Sequence, residues 1–361
     1  MHAPAHGMSM NAPARQAVLD EAPSDRSPAG PTAPWLVFDD RWVADHGIGR
    51  VAREWGRLGA GWRRIGPGPS PASPADPIWL AARLRDAGLP FLSPGYNAPL
   101  ASRSPFFVTV HDLCYVDLAR LTGALRRVYF GAVVRGRCQA AHGVFTVSEF
   151  SRGRLVDTWG LDPRRVHVVT PGVSQAFVPR GPTARFSRPY LLGVGNASPH
   201  KNETRTVAAF MASGLARTHD LVLTGAPRAV ARGPLDASVR FTGRIDDASL
   251  AALYRGADAL VFASLYEGFG LPALEAMACG TPVVCSRTTA LGEVAGDAAL
   301  QVDPESTEDI ARALERIVRD AALAARLREA GPVRARRHDW AAGVRTLERS
   351  LRAALGQPVA A

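Results

Sequence analysis

The sequence predicts an α/β protein made of two doubly wound parallel sheets, each with helices on both faces. Three observations predict it. Short apolar runs such as Phe106-Phe107-Val108-Thr109-Val110 and Ala259-Leu260-Val261-Phe262-Ala263 alternate with segments of helical period, the pattern of repeated strand–helix units. The alternation stops once, over 176–189, where Pro179, Gly181, Pro182 and Pro189 leave no regular period, and then restarts. Finally, 361 residues with 47% hydrophobic and 21% charged content suit two ordinary cores, not one small module or a disordered chain.

The elements follow in order. Residues 1–33 are dense in Ala, Pro, Ser and Gly and read as a disordered tail. A strand over Trp35–Phe38 leads to Asp39-Asp40, read as a solvated strand end in preference to a metal-binding pair. A turn through His46-Gly47-Ile48-Gly49 opens a helix carried by Ile48, Val51, Ala52, Trp55 and Leu58. Five prolines make 66–77 a loop. The strand at 106–110 ends at His111-Asp112. A helix is expected around 121–140, a strand at Gly143–Val147, a helix from Ser148 and a strand at Val166–Val169. This first domain spans 34–178, with a linker at 179–189.

The second domain, 190–337, starts with a strand at Tyr190–Val194 and a helix near 202–212. Strands at Leu221–Leu223 and Val239–Thr242 follow, then a helix at 247–256 and a strand at Ala259–Ala263. A helix at 272–279, a strand at Pro282–Cys285 and a helix at 306–319 complete it. Within 338–361, a last helix over Trp340–Leu355 is expected to cross back to the first domain. Ligands of such sheets bind at the carboxyl ends of strands, here in a cleft between domains.

Composition narrows the function. No apolar run approaches the roughly 20 residues of a membrane-spanning helix. The N-terminus lacks the basic start and apolar stretch of a signal peptide, so export is not expected. Cys114, Cys138, Cys279 and Cys285 are too scattered for a disulfide framework or a zinc site, so reduced thiols and a cytoplasmic location are the simplest expectation. A formal charge of +10 would attract phosphate-bearing substrates, anionic lipid or nucleic acid. No nucleic-acid motif is present. The Arg-rich stretches at 126–137 and 334–337 read first as solvated faces and second as contacts to the inner face of an anionic membrane. Among 43 basic residues a single one, Lys201, is lysine. A compact ammonium on a thin stem suits a crowded phosphate site better than the broad guanidinium fork.

The densest chemistry lies at Ser264-Leu265-Tyr266-Glu267-Gly268-Phe269-Gly270-Leu271-Pro272-Ala273-Leu274-Glu275. A strand ends, a glycine-bearing loop follows, and Pro272 marks the start of a helix. Backbone N–H groups at that entrance form a ready anion site. Glu275, expected in the first turn, and Glu267, in the preceding loop, bracket it. Carboxylates would repel a phosphate, so they should accept hydrogen bonds from sugar hydroxyls. The competing reading makes Glu275 a complement to the helix dipole and Glu267 a solvated side chain. A dinucleotide site after Gly193-Val194-Gly195 is disfavoured, because Ser198 stands in for the third glycine and no acid ends the next strand.

This segment resembles the E-x7-E signature of family-4 (group 1) glycosyltransferases, retaining enzymes of the GT-B fold that use nucleotide-diphosphate sugars. Phe241-Thr242-Gly243-Arg244-Ile245, Ala276-Met277-Ala278-Cys279-Gly280-Thr281-Pro282 and Pro199-His200-Lys201-Asn202 extend the resemblance over most of 190–320. Gly47-Ile48-Gly49-Arg50, Val110-His111-Asp112-Leu113 and Val147-Ser148-Glu149-Phe150-Ser151 carry it more loosely through the first domain. The resemblance implies that Glu275 holds the nucleotide ribose, and that Glu267 with the backbone of Gly268, Phe269, Gly270 and Leu271 holds the donor sugar. It further implies that Lys201 neutralises the diphosphate, that Gly47 lies beneath the phosphates, and that His111, with Asp112 on the acceptor side, faces donor sugar and acceptor. Where many relatives carry a second phosphate-binding arginine, this chain has Asn196, so either a second cation comes from elsewhere, with Arg244 the candidate, or the phosphate site is weaker than usual.

The expected function is therefore metal- and cofactor-independent, retaining transfer of a sugar to a saccharide or lipid-linked acceptor in cell-surface polysaccharide assembly. GDP-mannose is the favoured donor, because Pro-His-Lys-Asn looks most like mannosyl- and rhamnosyl-transferring relatives. A sugar-nucleotide epimerase or phosphorylase of the same fold is the alternative, and a protein binding nucleic acid or anionic surfaces a distant third.

Overall fold

The strand–helix alternation does build two sheets. The structure, a computed structural model, describes residues 33–44, 47–121, 123–196, 198–227 and 236–358. The tail expected at 1–33 therefore lies, but for Ala33, outside the described residues, and Pro34–Ala361 form one unit. The first sheet holds β1 (Leu36–Phe38), β2 (Trp62–Arg64), β3 (Phe91–Leu92), β4 (Phe106–Thr109), β5 (Gly143–Thr146) and β6 (Val166–Val168). Its order is β2-β1-β3-β4-β5-β6, with every pair parallel. The second holds β7 (Tyr190–Gly193), β8 (Asp220–Leu223), β9 (Val239–Phe241), β10 (Ala259–Phe262), β11 (Val283–Ser286) and β12 (Leu300–Val302). Its order is β12-β11-β10-β7-β8-β9, again parallel.

The helices of the first lobe are α1 (Gly47–Leu58), α2 (Asp76–Leu84), α3 (Cys114–Asp117), α4 (Ala124–Val128), α5 (Arg135–Ala140) and α6 (Glu149–Trp159). Those of the second are α7 (Glu203–Ala212), α8 (Asp247–Gly256), α9 (Leu271–Ala278), α10 (Thr289–Ala295), α11 (Thr307–Arg319) and α12 (Ala321–Ala335); α13 (Trp340–Ala354) follows. Central strands β4, β5, β10 and β11 are buried along their whole length, as covered parallel sheets require. Side chains cap the helix starts: Ser148 accepts the Ser151 N–H ahead of α6, Asp246 that of Ser249 ahead of α8, and Asp339 that of Ala342 ahead of α13. Trp340, Val344, Leu347 and Leu351 of α13 join Leu36, Phe38, Val51 and Trp55 in one core cluster on the first sheet.

Several expectations need correcting. The loop at 66–77 ends early, because Pro77 sits in the first turn of α2, where a missing N–H costs nothing. The helix expected around 121–140 is α4 and α5 joined by a π-helical turn, Tyr129–Val134. Asp39 is not a solvated strand end. It is fully buried, takes Nε and Nη2 of Arg41 at 2.8 and 2.6 Å, and accepts from Asn97 Nδ2 at 2.9 Å. Arg41 also pairs with buried Asp76, and its guanidinium stacks on Trp79. Two buried carboxylates share one guanidinium, so burial raises the Asp76 carboxyl while Arg41 and Asn97 pull it down. Nor are all the Arg-rich stretches solvated: Arg137 donates to the Pro99 and Leu100 carbonyls, and Arg334 to the last carbonyls of α10, Glu293 and Val294.

Candidate functional site at the seam between the lobes

The carboxyl ends of β4 and β5 face the carboxyl end of β10, and the chemistry-bearing residues collect at that seam. Lys201 closes a 3-10 turn, Pro199–Lys201, between β7 and α7. The turn is anchored on both sides. The Leu265 N–H donates to the His200 carbonyl at 2.8 Å, and Asn202 Nδ2 donates to the carbonyls of Ala263 and Pro304 at 2.8 and 2.7 Å. Asn202 thereby holds a left-handed φ of 60°, a conformation asparagine tolerates better than most residues. The result places the Lys201 ammonium 2.7 Å from Glu267 Oε1 and 5.1 Å from the centre of the Phe262 ring.

Glu267 lies in the loop after β10, where its N–H donates to Thr289 Oγ1 at 3.3 Å. Thr289 is β-branched yet sits at φ 61°, a strained backbone of the kind that collects at functional sites. The next residue, Gly268, is a close contact between lobes. Its carbonyl accepts from Ser148 Oγ at 2.7 Å and Ser151 Oγ at 3.3 Å. A Cβ there would lie 2.5 Å from the His111 carbonyl oxygen and 2.8 Å from Asp112 Cβ, so only glycine fits. Gly270, at φ 102°, turns the chain into α9, with Pro272 in the first turn. Phe269 faces inward against His338, so only its backbone is available to a ligand; Leu271 likewise packs on the second lobe's core.

Glu275 falls in the second turn of α9, not the first as expected, because the helix opens at Leu271. That removes the dipole-complement reading. Its side chain is 4% exposed, and it pairs with Arg50 from α1 of the other lobe. Tyr254 Oη donates to its second oxygen at 3.4 Å. Burial pushes the Glu275 carboxyl up to about 7, against the pull of Arg50 and with a further push from Asp247.

Across the seam, His111 Nε2 lies 2.9 Å from the Pro94 carbonyl. A carbonyl only accepts, so the proton sits on Nε2. Asp112 accepts the Cys114 N–H at 2.9 Å, and burial beside Glu267 raises its carboxyl to about 6, with Lys201 and that N–H opposing. Lys201, Glu267, Asp112, the backbone of His111 and Gly268 thus share one small volume. Further bonds hold the lobes together: Tyr266 Oη to Asp117 at 2.7 Å, and the Glu149 and Phe150 N–H groups to the Glu293 carboxylate at 3.1 and 2.9 Å.

Of the remaining candidates, Gly47 is exposed as the first residue of α1, and a Cβ there would meet nothing within 4 Å. Its neighbour Gly49 is the glycine the fold demands, since a Cβ there would lie 2.2 Å from the Ala44 carbonyl oxygen. Asn196 Oδ1 accepts the Ser198 N–H at 3.3 Å, and Arg244 is exposed three residues beyond β9. Among the described residues Arg50 pairs with Glu275 from the other lobe, a role that its place in Gly47-Ile48-Gly49-Arg50 does not signal from sequence alone. Thr289 was likewise missed, since neither residue type signals chemistry without its spatial partner.

Two doubly wound sheets, with a lysine, a helix entrance and two acids gathered where their strand ends meet, define an α/β protein of the GT-B fold. Solved structures agree: Anabaena HepE in complex with UDP-glucose superposes with a TM-score of 0.70 at 15% identity, covering 88% of this chain and 99% of that one. The family model for glycosyl transferases group 1 matches residues 184–334, and that for glycosyltransferase family 4 matches 39–177. The chain belongs to this glycosyltransferase family. It is 32% identical to the O-antigen chain mannosyltransferase B of Escherichia coli over 56% of its length and 58% of the relative's. It is 33% identical to the D-inositol 3-phosphate glycosyltransferase of Acidothermus cellulolyticus over 65% of its length and 59% of the relative's. In both matches the chain therefore spans under two thirds of the curated relative. Among the described residues, no helix is long and apolar enough to cross a membrane.

Proposed function

We propose that this protein transfers a sugar, with retention of configuration, from a nucleotide-diphosphate donor to a saccharide or lipid-linked acceptor in cell-surface polysaccharide assembly. The observation that carries the reading is the Lys201 ammonium 2.7 Å from Glu267 at the approach to α9, with Glu275 eight residues on. In this reading the diphosphate binds Lys201 and the backbone N–H groups opening α9, the ribose hydroxyls donate to Glu275, and the sugar lies against Glu267 and the Gly268–Leu271 backbone. GDP-mannose is the donor we favour, supported by the Pro199-His200-Lys201-Asn202 arrangement and by the mannosyltransferases among the relatives.

The chemistry follows from charge. The bond between sugar C1 and the β-phosphate oxygen breaks, and its electron pair leaves with the nucleoside diphosphate. A fixed ammonium and oriented N–H groups stabilise that charge with little reorganisation. The acceptor oxygen bonds to C1 on the face the phosphate leaves, and its proton passes to the departing phosphate oxygen. His111 and Asp112 position donor sugar and acceptor on the first lobe's side. No resident metal is invoked, so turnover in excess EDTA should match turnover without it.

A membrane contact fits the same reading. Leu125 is 85% and Val128 66% exposed on α4, with Leu121 and Val133 exposed nearby. Exposed Arg126, Arg127 and Arg135 flank them. Apolar side chains ringed by arginine suit an anionic bilayer that would present a lipid-linked acceptor. Sedimentation with phosphatidylglycerol vesicles, lost in Leu125→Asp and absent with phosphatidylcholine, tests it.

The transfer itself is tested with a panel of nucleotide-diphosphate sugars, with and without acceptor. Acceptor-dependent release of nucleoside diphosphate is expected. An isomerised sugar from donor alone would replace the reading with an epimerase. Nucleic-acid binding with a steep salt slope and no need for Glu267 would replace it with a surface-binding protein.

A further inference from the structure

Arg50 is held in a way that sets it apart from the other arginines at the seam. It projects from the fourth position of α1 in the first lobe and pairs with two acids of the second. One guanidinium nitrogen donates to Glu275, the other to Asp247 at the start of α8. The guanidinium carbon lies 5.7 Å from the centre of the Phe177 ring, and the side chain keeps 21% of its exposure. It is tethered at the seam, yet not sealed in.

Charge counting shows what a donor would change. Around α9 stand, among the described residues, four acids, Glu267, Glu275, Asp247 and Asp112, and two cations that pair with the first three, Lys201 and Arg50. A nucleoside diphosphate brings two or more negative charges, and Lys201 alone cannot balance them. Asn196 is neutral and already accepts the Ser198 N–H. Ribose hydroxyls arriving at Glu275 would satisfy its oxygens as neutral donors, which displaces the guanidinium. The phosphate then competes with Asp247 for it, and a planar fork of five N–H groups is well matched to that acceptor.

We propose that Arg50 is the second phosphate-binding cation of the donor site, moving from Glu275 and Asp247 onto the diphosphate when the ribose takes Glu275. The proposal rests on the reading of the seam as a nucleotide-diphosphate-sugar site. It makes the first lobe part of the donor pocket, and it makes ribose recognition the event that releases the cation. Asp247, 41% exposed, competes with the ligand for Arg50.

The test is calorimetric titration of guanosine, GMP and GDP, with uridine, UMP and UDP in parallel, into wild type, Arg50→Met, Arg50→Lys and Asp247→Asn. Arg50→Met should weaken diphosphate binding by about tenfold or more, the loss of a charge-assisted contact. Its nucleoside affinity should stay unchanged or tighten, and Arg50→Lys should recover part of the diphosphate loss. Asp247→Asn should tighten diphosphate binding by roughly two- to fivefold, the scale of a partly exposed ion pair removed as competitor. Equal weakening of nucleoside and diphosphate in Arg50→Met would show that Arg50 only props Glu275, and would overturn the proposal. Unchanged diphosphate binding would overturn it too, as would weaker binding in Asp247→Asn. Should Arg50→Met fail to fold, Arg50→Lys and Asp247→Asn decide alone. A wild type that binds neither GDP nor UDP would instead overturn the donor reading itself.

Discussion

Replacing Lys201 with alanine removes the ammonium that sits 2.7 Å from Glu267 and leaves the Phe262 ring without its cation. Two costs follow, and they can be measured apart. The first is to stability: the pair is mostly buried, with side chains 16% and 12% exposed, so Glu267 loses its partner in a poorly solvated place. A fully buried broken pair costs 3–5 kcal/mol, and residual solvation reduces that here to about 1–2 kcal/mol. The second is to the reaction. Loss of one fixed stabiliser of developing charge slows comparable enzymes by about 10²-fold, close to 3 kcal/mol of barrier. Single-turnover release of nucleoside diphosphate, with urea unfolding on the same preparation, separates the two. Lys201→Met is the companion variant, because it keeps an unbranched stem beside Phe262 without the charge. A turnover within about threefold of wild type in both variants would remove Lys201 from the diphosphate site.

Glu275→Gln should weaken nucleotide affinity more than it slows the chemical step, read from KM and kcat; a pure kcat loss would mean its role is misassigned. Because the Glu275 carboxyl is raised to about 7, the native state holds its proton more tightly than the unfolded chain. That contribution to stability is complete below the unfolded carboxyl range and is lost as pH rises through about 7, while the proposed ribose contact needs the charged form. Nucleotide-induced stabilisation should therefore grow from pH 6 to pH 8, and flatten in Glu275→Gln, followed by thermal shift. Gly268→Ala drives a methyl group to 2.5 Å from the His111 carbonyl oxygen, so it should abolish transfer while each lobe keeps its secondary structure by circular dichroism. Arg41→Met leaves Asp39 and Asp76 buried without their cation and should cost about 3–5 kcal/mol in urea unfolding, enough to lower the yield of folded protein.

The strongest patterns in the chain were legible for a physical reason. Buried parallel strands such as Ala259–Phe262 and Val283–Ser286 are unbroken apolar runs, and α8 announces itself with Asp246 as cap and a clear period. The short edge strands β2 and β12 were not, since three residues each, with Arg63 and Arg64 exposed in the one and only Val302 buried in the other, carry almost no pattern. Helix α12 was hidden because its buried stripe, Leu323, Ala324, Leu327, Gly331 and Ala335, is mostly small residues, and Pro332 reads as a breaker. At the site, Glu267, Glu275 and Lys201 stood out by spacing and by rarity. Arg50 did not, because one arginine among dozens gains meaning only when the other lobe brings Glu275 to it. Asp39 misled for a similar reason: its partner Asn97 lies 58 residues away, and Asp76, which shares Arg41 and Asn97 with it, lies 37 away, so burial was invisible from its immediate neighbours.

The proposed donor site is the α9 entrance, Lys201 and Glu275 binding a nucleotide diphosphate together. Thermal unfolding with and without millimolar GDP and UDP tests it most directly, since a ligand at 100 times its Kd stabilises the native state by about 2.7 kcal/mol. The melting temperature should rise by several degrees with at least one diphosphate in wild type, with little or no rise in Lys201→Ala or Glu275→Gln. No rise in wild type, or the same rise in all three proteins, would contradict it.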